Sequence, residues 1–165
     1  MGTDKSGWIR PSHGFTLLEL LVCVAIIGVL ASIAMPMAEM VRQRNQEEEL
    51  RYALRTLRDA IDAYKLAADT GHITKSADSS GYPDNLSILV DGVVDAKSPS
   101  GEKLFFLRRI PRDPFYPDTT VKPENMWGLR SYKSSANEPK PGKDVYDVYS
   151  QQPVDGLDGT ALKDW

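Results

Sequence analysis

An apolar run near the start of the chain, Phe15 to Met37 in "GFTLLELLVCVAIIGVLASIAMPM", constrains the molecule more than any other feature. Its polar members are only Thr16, Glu19 and Ser32. As a helix rising 1.5 Å per residue, the stretch from 15 to 37 reaches about 35 Å, enough to cross the hydrocarbon core of a bilayer. Lys5 and Arg10 precede it, so the positive-inside rule keeps that end cytoplasmic and sends the rest of the chain across. Pro36 lacks an N–H and crowds the preceding turn, which predicts a kink near the outer end of the span.

The helix is expected to continue past Pro36. In "EEELRYALRTLRDAIDAYKLAADTG", Leu50, Leu54, Leu57, Ile61, Tyr64 and Ala68 recur at three- and four-residue steps, one apolar stripe with charges on the other faces. Gly71 is the expected stop. Beyond it Gly81, Pro83, Gly92, Pro99, Gly101, Pro111, Pro114 and Pro117 cut the chain into short pieces. "YPDNLSILVDG" predicts a short helix capped by Asp84 or Asn85. "KLFFLRRIP" is ambiguous between helix and strand. Residues 127–134 and 144–151 are rich in aromatic and β-branched side chains, and the Pro/Gly-containing segment between them predicts an antiparallel pair. The expected fold is therefore α+β: a long helix, membrane-spanning in its first half and amphipathic in its second, packed on a small antiparallel sheet with a loop-rich C-terminus.

The totals weigh against several functions. With 20 basic and 23 acidic residues, a formal charge of -3 and arginines interleaved with acids, the chain lacks the basic face that nucleic acid requires. Cys23 is its one cysteine, so no intrachain disulfide can form. Its two histidines stand apart, His13 before the apolar run and His72 alone beyond it, and with one cysteine they supply too few parts for a two-histidine zinc site or a set of catalytic histidine partners. The expectation is a non-enzyme.

Three readings of residues 1 to 40 compete. A secretory signal fits the basic start and the small residues Ser32 and Ala34, but the apolar run is longer than an ordinary signal core and holds Glu19. A plain single-pass anchor needs Glu19 to reach toward the headgroups. In the third, the chain is cut between Gly14 and Phe15. A carboxylate in the membrane costs about 2.5–3.5 kcal/mol on insertion scales, and the freed α-amino group of Phe15 would neutralise it, within one chain or between neighbouring subunits.

"HGFTLLELLVCVAIIGVLASIAMP" closely resembles the class III signal of type IV pilins and pseudopilins: Gly at the cut, Phe first in the mature chain, Glu fifth and a late Pro. The resemblance implies that a prepilin peptidase cleaves after Gly14 and methylates Phe15, and that Glu19, with Phe15, directs subunit assembly. It divides the chain into a leader, 1–14, a transmembrane and assembly helix, 15–37, and a periplasmic globular domain, 38–165. "YPDNLSILV", "LRRIPRDPF", "WGLRSY", "YDVYS" and "DGLDG" come in the order found in major pseudopilins of type II secretion. The resemblance thus implies a homopolymer, the pseudopilus, grown from an inner-membrane assembly platform with minor pseudopilins and pushed toward an outer-membrane channel. The alternatives are a type IV pilus subunit, serving adhesion, motility or DNA uptake, and a monomeric membrane-anchored periplasmic binding domain.

The chain departs from that pattern in two places. The segment from Phe115 to Met126 is longer than the tight turn expected after Asp-Pro, and the C-terminal loop is shorter than the calcium-binding loop of typical major pseudopilins. Asp155, Asp158 and Asp164, with the Thr160 hydroxyl, are the candidate ligands for Ca²⁺, which takes six to eight oxygens from a flexible loop. The opposing reading is that acids beside glycine favour turns and solvate the tail. Trp165 is expected to close over apolar surface.

Overall fold

The computed structural model describes residues 15–165, and for 33–36 the backbone alone. Helix α1 runs from Leu17 to Asp69, and two compact units divide within it, between Val41 and Arg42. In the first unit the helix is apolar all round and exposed: Leu18, Leu21, Val24, Ile27 and Leu30 are all more than 60 % accessible. It is long and apolar enough to cross a membrane, and none of its apolar window is buried within the chain. Helical backbone continues through Pro36. The missing Pro36 N–H removes one hydrogen bond of the ladder, and the bonds on either side carry the helix on.

In the second unit the stripe finds its partners. Leu50, Leu54, Leu57, Ile61, Tyr64 and Ala68 are all buried, joined by the small residues Ala53 and Ala60 that let other segments approach the helix. Gly71 ends α1 with φ +80°: its N–H reaches the Ala68 carbonyl and that of His72 reaches Ala67, at 3.2 and 2.8 Å. This is a Schellman-type cap, which needs the left-handed conformation glycine adopts without strain.

The stripe is covered mostly by loop. Helix α2, Ile88–Asp91, is one turn long, and the Asn85 side chain accepts from the Ile88 N–H at 3.0 Å. Strands β1, Val93–Val94, and β2, Lys103–Leu104, pair antiparallel. Only the start of "KLFFLRRIP" is therefore strand; Phe106 and Leu107 then both donate their N–H groups to the Leu89 carbonyl. Tyr64 and Phe106 pack with ring centroids 5.4 Å apart.

Strands β3, Trp127–Arg130, and β4, Asp147–Ser150, form the expected antiparallel pair, with Gly128 opposite Tyr149. A Cβ at Gly128 would collide with the Tyr149 ring, so only glycine permits this register. Both strands are shorter than the sequence predicts, because a side chain and a loop carbonyl replace the ladder beyond Arg130. The Asp144 carboxylate accepts from Tyr132 N–H at 2.9 Å, and Ser131 donates its N–H to Lys140 instead. Trp127, Val145, Val148 and Leu162 complete the core against α1.

Candidate functional site

Two places carry chemistry beyond packing: the N-terminal end of α1, and the C-terminal loop where it meets the second half of that helix.

At the first, Thr16 is the residue before the helix and its carbonyl accepts the first helical bond, from Leu20 N–H at 3.2 Å. Its hydroxyl accepts from Glu19 N–H at 3.2 Å, and Glu19 Oε2 accepts from Thr16 N–H at 3.1 Å and from the Thr16 hydroxyl at 3.3 Å. This reciprocal arrangement is a capping box. It occupies two of the helix's orphan donors and places a negative charge at the positive end of the macrodipole. Its signature, Thr16-Leu-Leu-Glu19, is written in the sequence, and it gives Glu19 a role within its own chain. Among the described residues Oε1 of Glu19 has no hydrogen-bond partner. Phe15 is 80 % exposed. Gly14, the other half of the expected cleavage site, lies outside the described residues.

The C-terminal loop is fastened to α1 from several sides. Gln43 Nε2 donates to the Asp155 carbonyl at 3.2 Å, and the buried Glu47 carboxylate accepts the Leu157 N–H at 2.7 Å. Arg58 donates to the carbonyls of Val148 and Trp165 at 3.2 and 2.6 Å and pairs with Asp147 at 2.8 Å. Between these points four side chains close a ring. Arg51 Nη2 meets Asp158 Oδ2 at 3.2 Å, and the Thr160 hydroxyl donates to Asp158 Oδ1 at 2.6 Å. Trp165 Nε1 then donates to the Thr160 oxygen at 2.6 Å, and the Arg51 guanidinium returns to stack 3.7 Å from the Trp165 ring centre. The Thr160 hydroxyl first, then the Thr160 N–H and Arg51, hold the Asp158 carboxyl below its ordinary range. Trp165 packs against the core, as expected for an aromatic at the end of a loop.

The carboxylates of Asp155, Asp158 and Asp164 are not gathered into one site. Among the described residues no three acids, histidines or cysteines are placed to hold a metal. The loop instead folds back on itself: Asp155 bridges Ala161, and Gly156 N–H donates to Thr160 O at 2.8 Å. Asp164 falls in a short 3₁₀ turn, Leu162–Asp164. Residue spacing gave no sign of Gln43, Glu47, Arg51 and Arg58, since their loop partners lie about a hundred positions away; an acid, Glu47, three residues before Leu50 on the apolar stripe was the available signal.

The "IPRDPF" segment is an anchor. Asp113 is 2 % exposed yet fully bonded: Oδ1 accepts from Phe115 N–H at 2.8 Å and Oδ2 from the Ser150 hydroxyl at 2.6 Å. Trp127 Nε1 donates to the Pro111 carbonyl at 3.1 Å, fixing the same turn to β3. In the longer segment after it, Arg112 donates to the carbonyls of Asp118 and Val121, at 3.1 and 3.2 Å.

Residues 9–35 match a family described as the prokaryotic N-terminal methylation motif. Over 139 residues the chain is 27% identical to the type II secretion system core protein G of Klebsiella michiganensis, a match covering 82% of this chain and 90% of that one. The core protein G of Klebsiella pneumoniae is 33% identical over 118 residues, 67% of this chain and 74% of its relative. The chain belongs to the type II secretion system core protein G family. A shorter match within a protein named Fimbrial protein Q, from Moraxella bovis, is 34% identical over 69 residues and covers 42% of this chain and 44% of that one. No solved structure matches the chain.

Proposed function

We propose that this core protein G family member is the repeating subunit of a type II secretion pseudopilus, anchored by α1 in the inner membrane with its globular unit in the periplasm. The observation that carries the reading is the first half of α1: a helix apolar on every face, unburied within its own chain, with a carboxylate at its N-terminal end. In the bilayer, lipid covers that surface. In a filament, the same surface of neighbouring copies covers it, and the apolar helices become the filament core.

Cleavage after Gly14 by a prepilin peptidase frees the α-amino group of Phe15, which the same enzyme methylates. The open oxygen of Glu19 then meets the ammonium of a neighbouring subunit, and this pairing sets axial register while apolar faces pack. The assembly platform and the minor pseudopilins supply the place where subunits are added. No step in this function asks the chain to catalyse a reaction. A type IV pilus subunit is the second reading, favoured by the shorter likeness to Fimbrial protein Q.

The deciding experiment replaces Glu19 with Ala in the producing host. Loss of filaments and of secretion, with wild-type melting of the purified chain, supports the pseudopilus. Intact secretion without Glu19 overturns it, and loss of twitching or adhesion with secretion unchanged transfers the chain to the pilus reading.

A further inference from the structure

The donor set of the C-terminal loop does not suit the Ca²⁺ ion that the resemblance implies. Calcium needs six to eight oxygen ligands free to turn toward it. Here both oxygens of Asp158 are taken, Oδ1 by the Thr160 hydroxyl and N–H and Oδ2 by Arg51. The Asp155 carbonyl is taken by Gln43, and Glu47 Oε1 by Leu157 N–H and by Gln43 at 3.3 Å. The Thr160 hydroxyl spends its proton on Asp158 and its oxygen on Trp165. A dication entering here would also stand beside a guanidinium, which repels it.

We infer that Arg51 replaces the calcium ion in this chain: its guanidinium, clamped between the Asp158 carboxylate and the Trp165 ring, closes the C-terminal loop on α1 without a metal. One group does both parts of the work. The charge neutralises the acid as the metal would, and the planar face stacks on the indole, which a metal ion with its shell of oxygens could not do. Gly156 is part of the same device. A Cβ there would lie 2.6 Å from the Trp165 ring and 2.9 Å from Asp158 Oδ1, so glycine is what lets both partners of Arg51 sit over that backbone. The shortness of the loop fits this closure: Asp155 bridges Ala161, and the five residues between them close a tight turn, with Gly156 N–H on the Thr160 carbonyl and Gly159 N–H on that of Gly156. Arg51 is thus a positioning residue, acting on the head's surface through Asp158 and Trp165.

The inference goes beyond the filament reading and is tested apart from it, on the full chain in detergent. Melting is followed in excess CaCl₂ and in excess EGTA, with limited proteolysis of residues 154–165 alongside. The wild-type chain is expected to melt at the same temperature in both. Arg51→Ala is expected to lower Tm by about 2–6 °C, equally in both buffers, and to speed cleavage of the loop several-fold. Asp158→Asn, which keeps the shape of the side chain and loses its charge, moves both readouts the same way by less. A calcium-dependent rise in the wild-type Tm overturns the inference. So do wild-type melting and cleavage in Arg51→Ala. Loss of filaments in Glu19→Ala leaves it standing, because melting in detergent reads the head and not the polymer.

Discussion

The two halves of α1 are built from the same backbone and stabilised by different things. From Leu17 to Val41 the helix has apolar residues on every face and none of its apolar window covered by its own chain. From Arg42 to Asp69 the apolar residues collapse to a stripe, and that stripe is buried by loops and by β3 and β4. A helix hydrophobic all round must be covered by lipid or by other helices, whereas an amphipathic one can be covered by polypeptide further along its own chain. The first half is therefore unfinished until a membrane or another subunit completes it, and the second is finished within the chain. Stability and assembly should accordingly separate along one helix.

The sharpest way to break that comparison is at Glu19. Glu19→Ala is expected to remove filaments altogether, read by electron microscopy of cells, with no change in the Tm of the globular unit. The opposite pattern is expected at Leu57, which is 0% exposed. Leu57→Ala loses its buried contacts and leaves a cavity, costing about 2–5 kcal/mol in denaturant melts. Ile27→Ala, at a position 63% exposed in the first half, should leave those melts unchanged. A large stability loss at Ile27, or none at Leu57, would erase the division.

A smaller effect is expected at the end of the second half. Gly71→Ala forces a Cβ into the left-handed region and should cost about 1 kcal/mol, seen as faster hydrogen exchange in the last turn of α1. The smallest effect is the response to acid. Because the Asp158 carboxyl is depressed in the folded chain, its contribution is complete above the unfolded value, about 3.9, and fades as pH falls through the folded pKa. Exchange of the amides in residues 156–162, corrected for the intrinsic pH dependence, should hold steady from neutrality down to about pH 5 and rise only below about pH 4. Loosening already at pH 6 would mean that another group holds the loop.

Much of this architecture was legible because helical signals are local. The six stripe positions from Leu50 to Ala68 are all buried, Gly71 does stop the helix, and "WGLR" and "DVYS" do pair. Where an outcome was not legible, a contact made outside the local stretch decided it. The strands end early because Asp144 and Lys140 capture the backbone groups of Tyr132 and Ser131. The three aspartates of the tail look like one cluster in the sequence, since they lie within ten positions of each other. Which of them faces a cation depends on Arg51, 107 positions from Asp158. The Thr16 and Glu19 capping box is the reverse case, a local signal overshadowed by the assembly role expected of Glu19.

Local patterning was enough to set the helix, its change of character near Val41, the stripe that seeds the core and the acid at the N-terminal end of the span. Each depends on residues within a few turns of one another, where spacing maps directly onto a face. How the C-terminal loop is held came from long-range packing alone. That outcome turns on which charge arrives beside Asp158 once distant segments pack, and carboxylates accept a guanidinium as readily as a metal when the guanidinium is the group placed within reach.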